Sequence, residues 1–150
     1  MKHLLLIITL FFTLSHFTAS AQLPLKQHRD EKPLLFNSFS QRIEIPRVLL
    51  QQFFALNAGD TFSVTLPGNF VFKGYVLEKG NPVEGTLSMN LRLKNFNNAL
   101  FNLSITTLSD NQQEIHARIF HRNFADVLLL RLENGRYYLE KQEQRLVLSE

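Results

Sequence analysis

From Thr61 onward apolar residues fall on every second position, and a period of two leaves a chain one way to hide them: extended strands with one buried and one wet face. Phe62, Val64 and Leu66 alternate with Thr61, Ser63 and Thr65 until Pro67-Gly68 ends the run. A second strand is predicted from about Phe70 to Lys79, stopping at Gly80-Asn81-Pro82. The third, Thr86 to Lys94, sets Leu87, Met89, Leu91 and Leu93 against Ser88, Asn90, Arg92 and Lys94, and the residues Asn95-Phe96-Asn97-Asn98 turn it. A fourth carries Phe101, Leu103 and Ile105 inward and closes at Ser109-Asp110-Asn111; a fifth, from about Glu114 to His121, faces the core with Ile115, Ala117 and Ile119. Val127 to Leu132 is apolar at nearly every position, which predicts a central strand covered on both faces. Asn134-Gly135 is the dipeptide of a tight hairpin, leading into a strand from Arg136 to Lys141 and a short eighth from Arg145 to Ser149.

Strands separated by turn signals every 8 to 12 residues or so predict a mainly β fold, a single antiparallel β-sandwich or partly closed barrel. Parallel βαβ folds are excluded, because no connection is long enough for repeated crossover helices. One short N-terminal helix precedes the strands. Pro46 suits a first helical turn, Leu49, Phe53 and Leu56 recur at i, i+4 and i+7, with Leu50 and Phe54 widening the stripe, and Gly59 supplies a stop. About two turns long, this helix is expected to plug one end or one face of the sheet.

The first 21 residues have the layout of a secretory signal peptide: Lys2 and His3, an apolar run from Leu4 to Phe12, and Ala19-Ser20-Ala21 before a cleavage point. Residues 1–21 are therefore read as a signal, 22–40 as a polar flexible arm that Leu34-Leu35-Phe36 could anchor, and 41–150 as the β-rich domain. The expected destination is the periplasm or the exterior of a bacterium, by the general secretory route. Cleavage removes Lys2 from the 16 Lys+Arg and none of the 13 acids, so the mature domain is nearly neutral at +2. Its charges are interspersed without a basic block, which argues against nucleic acid or anionic lipid as a partner, and no stable membrane insertion is expected after cleavage. Cysteine is absent, so disulfides, thiol nucleophiles and thiolate metal sites are excluded.

Little in the sequence points to catalysis. His116 and His121 are five apart on a predicted strand, hence on opposite faces, and cannot share one ion. Glu114, His116 and Arg118 share one face and read as a solvated polar row. Asp60, Asp110 and Asp126 sit at turns, where short acids satisfy backbone N–H groups. No glycine-rich phosphate loop or Gly-x-Ser-x-Gly elbow occurs, so neither enzyme activity nor a cofactor nor a metal is expected. The candidate binding residues are Tyr137 and Tyr138 with Arg136, on the strand after the tight turn, and His116 with Arg118.

The stretch from Pro46 to Gly68, PRVLLQQFFALNAGDTFSVTLPG, resembles the start of the β-rich propeptide domains of secreted bacterial metalloproteases, where a short apolar helix precedes a strand ending near Leu-Pro. Glu133-Asn-Gly-Arg-Tyr-Tyr-Leu resembles the hairpin near the end of such prodomains, so the likeness spans about residues 46 to 141. No protease domain and no His-Glu-x-x-His accompany it. The resemblance implies a free-standing prodomain-like module, an inhibitor or chaperone of an exported protease or a domain reused for other binding, and carries over no catalytic residue. The expected function is thus an exported non-enzymatic β-domain that binds another exported protein through strand edges or the Tyr137-Tyr138 hairpin. The alternative is a sandwich or barrel holding a small molecule or glycan in a cavity lined by some of the eleven phenylalanines that follow the leader. A roomy interior would favour the ligand, and a filled interior with a bare strand edge would favour the protein partner.

Overall fold

A computed structural model describes residues 32–143. The signal peptide, the arm before Lys32 and the strand expected over residues 145–149 lie outside the described residues.

Eight strands form one antiparallel sheet: β1 (Arg42–Ile45), β2 (Thr61–Leu66), β3 (Phe70–Val83), β4 (Thr86–Leu93), β5 (Ala99–Thr107), β6 (Gln113–Phe120), β7 (Asp126–Glu133) and β8 (Arg136–Glu143). From β2 to β8 each strand pairs with the next in sequence, and β1 adds to the far side of β8, giving the order β1-β8-β7-β6-β5-β4-β3-β2. The sheet curls into a half-barrel, so the partly closed barrel is the member of the expected pair that forms. At one end the two edges draw together, with Cα atoms of β1 within 8 Å of those of the turn Pro67–Asn69.

The inner face is the one written in the alternation. Phe72, Val76, Met89, Leu91, Leu93, Phe101, Leu103, Ile115, Ile119, Leu128 and Leu139 are all buried, while their strand neighbours Lys73, Asn90, Arg92, Asn102 and Arg118 reach the outer face. Asn134 (φ 50°) and Gly135 (φ 76°) make the β7–β8 turn with the paired positive angles a two-residue hairpin needs.

Two segments fill the interior. Helix α1 (Arg47–Phe54) carries the chain from β1 to β2 across the concave side and buries Leu50 and Phe53. Phe53 meets Phe62 and Phe101 edge-to-face, each at 5.3 Å between ring centres. Pro46 stands one residue before the helix, and Lys79 of β3 ends it by donating Nζ to the carbonyls of Phe54 (2.7 Å) and Leu56 (2.9 Å), which have no helical partner. From the opposite end comes the segment before β1. Phe36 and Phe39 are buried, Phe39 lies 4.3 Å from Phe70 between ring centres, and Phe36 lies 5.5 Å from Phe96. Each such ring removed from water contributes about 1.5–3 kcal/mol. From Lys32 to Ser40 the chain is therefore fixed to the domain by Phe36 and Phe39.

Three readings of the strands are corrected. β1 was missed: Arg42-Ile-Glu-Ile alternates over only four residues, and its partner β8 lies about a hundred residues away. β3 does not stop at Gly80-Asn81-Pro82 but runs to Val83, with register shifts between Val76 and Glu78 and between Gly80 and Val83 that leave Pro82 unpaired in a bulge. The third concerns β7, which is covered on both faces only at its start: Val127 is buried, but Leu132 is 49% exposed.

Candidate functional site: a split between two central strands

The β6–β7 ladder is shorter than its strands. Register pairs run from Phe120↔Val127 through Ile119↔Leu128 to Arg118↔Leu129 and stop there, although β6 begins at Gln113 and β7 continues to Glu133. The flanking ladders are complete: β5 follows β6 back to Gln113, and β8 follows β7 out to Glu133↔Arg136. The sheet is thus forked in its middle, at the end where α1 begins.

Backbone parity shows what the fork presents. In an antiparallel strand the N–H and C=O of one residue point to the same side, and residues two apart agree. The Ile115 N–H points into the fork, so Gln113 and Ala117 do too, and Leu130 and Leu132 face them from β7. Side chains take over part of the lost ladder. Tyr137 of β8 passes beneath β7 and accepts the Ile115 N–H on its hydroxyl at 3.3 Å. Arg47, first residue of α1, donates Nη2 to the Gln113 carbonyl (3.4 Å) and to its Oε1 (3.3 Å). A depression of about 420 Å³ opens here, lined by Arg47, Asn111, Gln112, Gln113, Leu132, Gly135 and Tyr137.

The five residues singled out from sequence do not form one site. Tyr137 is buried and lines the fork from the concave side. Tyr138, its neighbour, is on the outer face beneath the Arg42 guanidinium, 3.8 Å from ring centre to Cζ. Arg136 pairs with Glu44 at 3.4 Å. Arg42 also reaches Glu133 (2.5 Å) and Glu140 (3.4 Å), and the bond to Glu133 raises its pKa above the ordinary arginine value. His116 and Arg118 lie on the outer face of β6, the face that Tyr138 shares and Tyr137 does not. The imidazole of His116 is 3.5 Å from Glu114, and Arg118 closes a cross-strand row in which Asn90 donates to Glu78, Asn102 to Asn90 and Arg118 Nε to Asn102 at 3.0 Å. This row holds four adjacent strands in register and leaves its members little freedom for chemistry.

Of the three turn acids, Asp60 and Asp110 do as expected, accepting the N–H of Asn57 (2.8 Å) and Gln112 (3.1 Å). Asp126 also accepts backbone N–H groups, but from a distant segment: it is 2% exposed and holds the arm, with Oδ1 accepting from Leu35 N–H and Oδ2 from Phe36 N–H. Among the described residues no group of three or more His, Cys, Asp or Glu side chains gathers into a metal site, and no helix is long and apolar enough to cross a membrane. Sequence reasoning missed Arg47 and Gln113, and no local pattern marks them, since a lost ladder is a property of two strands together.

No protein-family model, no curated protein and no solved structure matches the chain.

A second bare edge lies on β2. Val76 exchanges backbone bonds with Gly59 and Asp60, which sets the even residues of β3 toward β2 and therefore the N–H and C=O of Thr61, Ser63 and Thr65 away from it. Among the described residues β2 has one strand neighbour, and none of its six residues is charged or a proline. The opposite edge, β1, is four residues long and carries Arg42 and Glu44.

Proposed function

We propose that this chain is an exported, non-enzymatic β-domain that binds another exported protein by adding one of that protein's strands to β2, acting in prodomain fashion as an inhibitor or chaperone of a secreted protease. The observation that carries the reading is the β2 edge. Folded proteins guard edge strands with lysines, prolines, bulges or shortness, and β2 has no charge, no proline and six residues of uninterrupted ladder, with three outward sets of donors and acceptors. Strand addition uses such groups directly, with side-chain pockets supplying choice of partner. The filled interior supports the same reading over a ligand held in the barrel, because α1 and the arm's phenylalanines occupy the space a ligand would need. Export rests on the leader at residues 1–21, and the protease partner on the prodomain resemblance over residues 46 to 141.

Parity supplies the test. Ser63→Pro removes an N–H that points outward and leaves the β2–β3 ladder intact, so it blocks strand addition without unfolding the edge. Purified mature protein is added to the zinc-dependent protease activity in the culture medium of the organism that makes it. The unaltered protein is expected to change that activity and to be recovered with the protease; Ser63→Pro, with an unaltered circular dichroism spectrum, does neither. Unchanged activity with the unaltered protein overturns the inhibitor reading.

A further inference from the structure

We infer that the fork between β6 and β7 is a second binding site, independent of the β2 edge, and that it takes an extended segment of a partner protein bearing a carboxylate side chain. Continuing the register past Arg118↔Leu129 would pair Ala117 with Leu130, Ile115 with Leu132 and Glu114 with Glu133, and the strands are long enough to do so. The protein leaves the ladder positions beyond Ala117 and Leu130 open and spans the gap with Tyr137 and Arg47. Their bonds, 3.3 Å to the Ile115 nitrogen and 3.3–3.4 Å to Gln113, are long for N–H···O contacts and so are readily exchanged for better ones. An incoming strand offers better ones, because Gln113 at the mouth of the fork and Ile115 behind it turn backbone groups to that side at a strand's own spacing.

Charge selects the occupant. Arg47 is the one charged residue lining the depression, it is exposed, and the bonds that hold it go to a neutral carbonyl and a neutral amide. The nearest acids on the two lips are already engaged, Glu133 with Arg42 and Glu114 with His116. A carboxylate on the entering segment would exchange the neutral contacts of Arg47 for charge-assisted ones, roughly twice as strong. Leu132, half-exposed on the same rim, offers apolar surface to a residue two positions away on the same face of the segment.

The test uses the full mature chain and three blocked hexapeptides of alternating Thr and Val that differ at one position, Glu, Gln or Lys. Backbone amide shifts of Ile115, Ala117, Leu130 and Leu132 are followed by NMR during titration. The Glu peptide is expected to bind about tenfold more tightly than the Gln peptide at low salt, and the preference to shrink as salt is raised. Arg47→Gln is expected to abolish the preference while leaving the thermal midpoint unchanged, and Arg47→Lys to restore part of it. Equal binding of the three peptides, no saturation at millimolar peptide, or shifts confined to residues 61–66 would each overturn the proposal. Ser63→Pro leaves the fork untouched, so failure here and failure at the β2 edge are read separately.

Discussion

Asp126, the first residue of β7, accepts the Phe36 N–H on Oδ2 at 2.9 Å across 90 residues of chain. Its other oxygen takes the Leu35 N–H at 2.7 Å, so one buried carboxylate satisfies two consecutive donors of a segment without regular structure. Asp126→Asn turns an NH2 group toward one of those donors and is expected to cost about 1–3 kcal/mol, the penalty for a buried polar group left unmatched. Chemical denaturation measures the loss, and amide exchange at Leu35 and Phe36 should speed up more than exchange in β4 or β5.

Gly74 allows β3 and β4 to approach. A Cβ there would stand 1.8 Å from the Arg92 carbonyl oxygen, a backbone atom that cannot swing aside. Gly74→Ala is therefore expected to destabilise by about 1–3 kcal/mol through forced strand separation. Gly80→Ala, on the same strand with nothing within 4 Å of the added carbon, is expected to be neutral or stabilising by up to about 1 kcal/mol. Thermal melts of the pair decide the matter, and equal midpoints would refute the steric account.

Phe53 is the residue through which α1 grips the sheet. Truncation to alanine removes two edge-to-face contacts, with Phe62 and Phe101, and leaves a cavity between helix and strands. A loss of about 3–5 kcal/mol is expected. Val48, exposed on another face of the same helix, gives the contrast: Val48→Ala should fall within about 0.5 kcal/mol of the unaltered protein.

Tyr137→Phe removes the hydroxyl that accepts the Ile115 N–H and keeps the ring. The expected cost is about 1–3 kcal/mol, with faster amide exchange at Ile115 and little change at Ile119, whose ladder to Leu128 is intact. Exchange that rises equally at both residues would show that the hydroxyl supports the whole ladder rather than one donor.

The architecture was legible where each strand carries its own evidence. Leu87 to Leu93 alternates over a full strand, Asn134-Gly135 can make one kind of turn, and the stripe of Leu49, Phe53 and Leu56, widened by Leu50 and Phe54, needs a sheet to cover. Legibility failed where a partner decides. Ile43 and Ile45 are two apolar residues in four, and only β8 makes them a strand. Asp126 looks like any acid before a strand, because the donors that single it out belong to Leu35 and Phe36. The fork is of the same kind: the opposite facing of Tyr137 and Tyr138 follows from a period of two, but nothing near Tyr137 in sequence announces that β6 will part from β7 and leave Ile115 for its hydroxyl.

The place of β1 in the sheet also fixes an order of events. β2 to β8 pair neighbour with neighbour, so each hairpin can close as soon as its second strand is made, at the small entropic cost of a short loop. The strand that leaves the ribosome first among the eight, Arg42–Ile45, has Arg136–Glu143 as its ladder partner, and the arm before it waits for Asp126. Phe36, Phe39 and Ile45 therefore have no complete site to enter until β7 and β8 exist, and before then they remain available to whatever guides the unfolded chain.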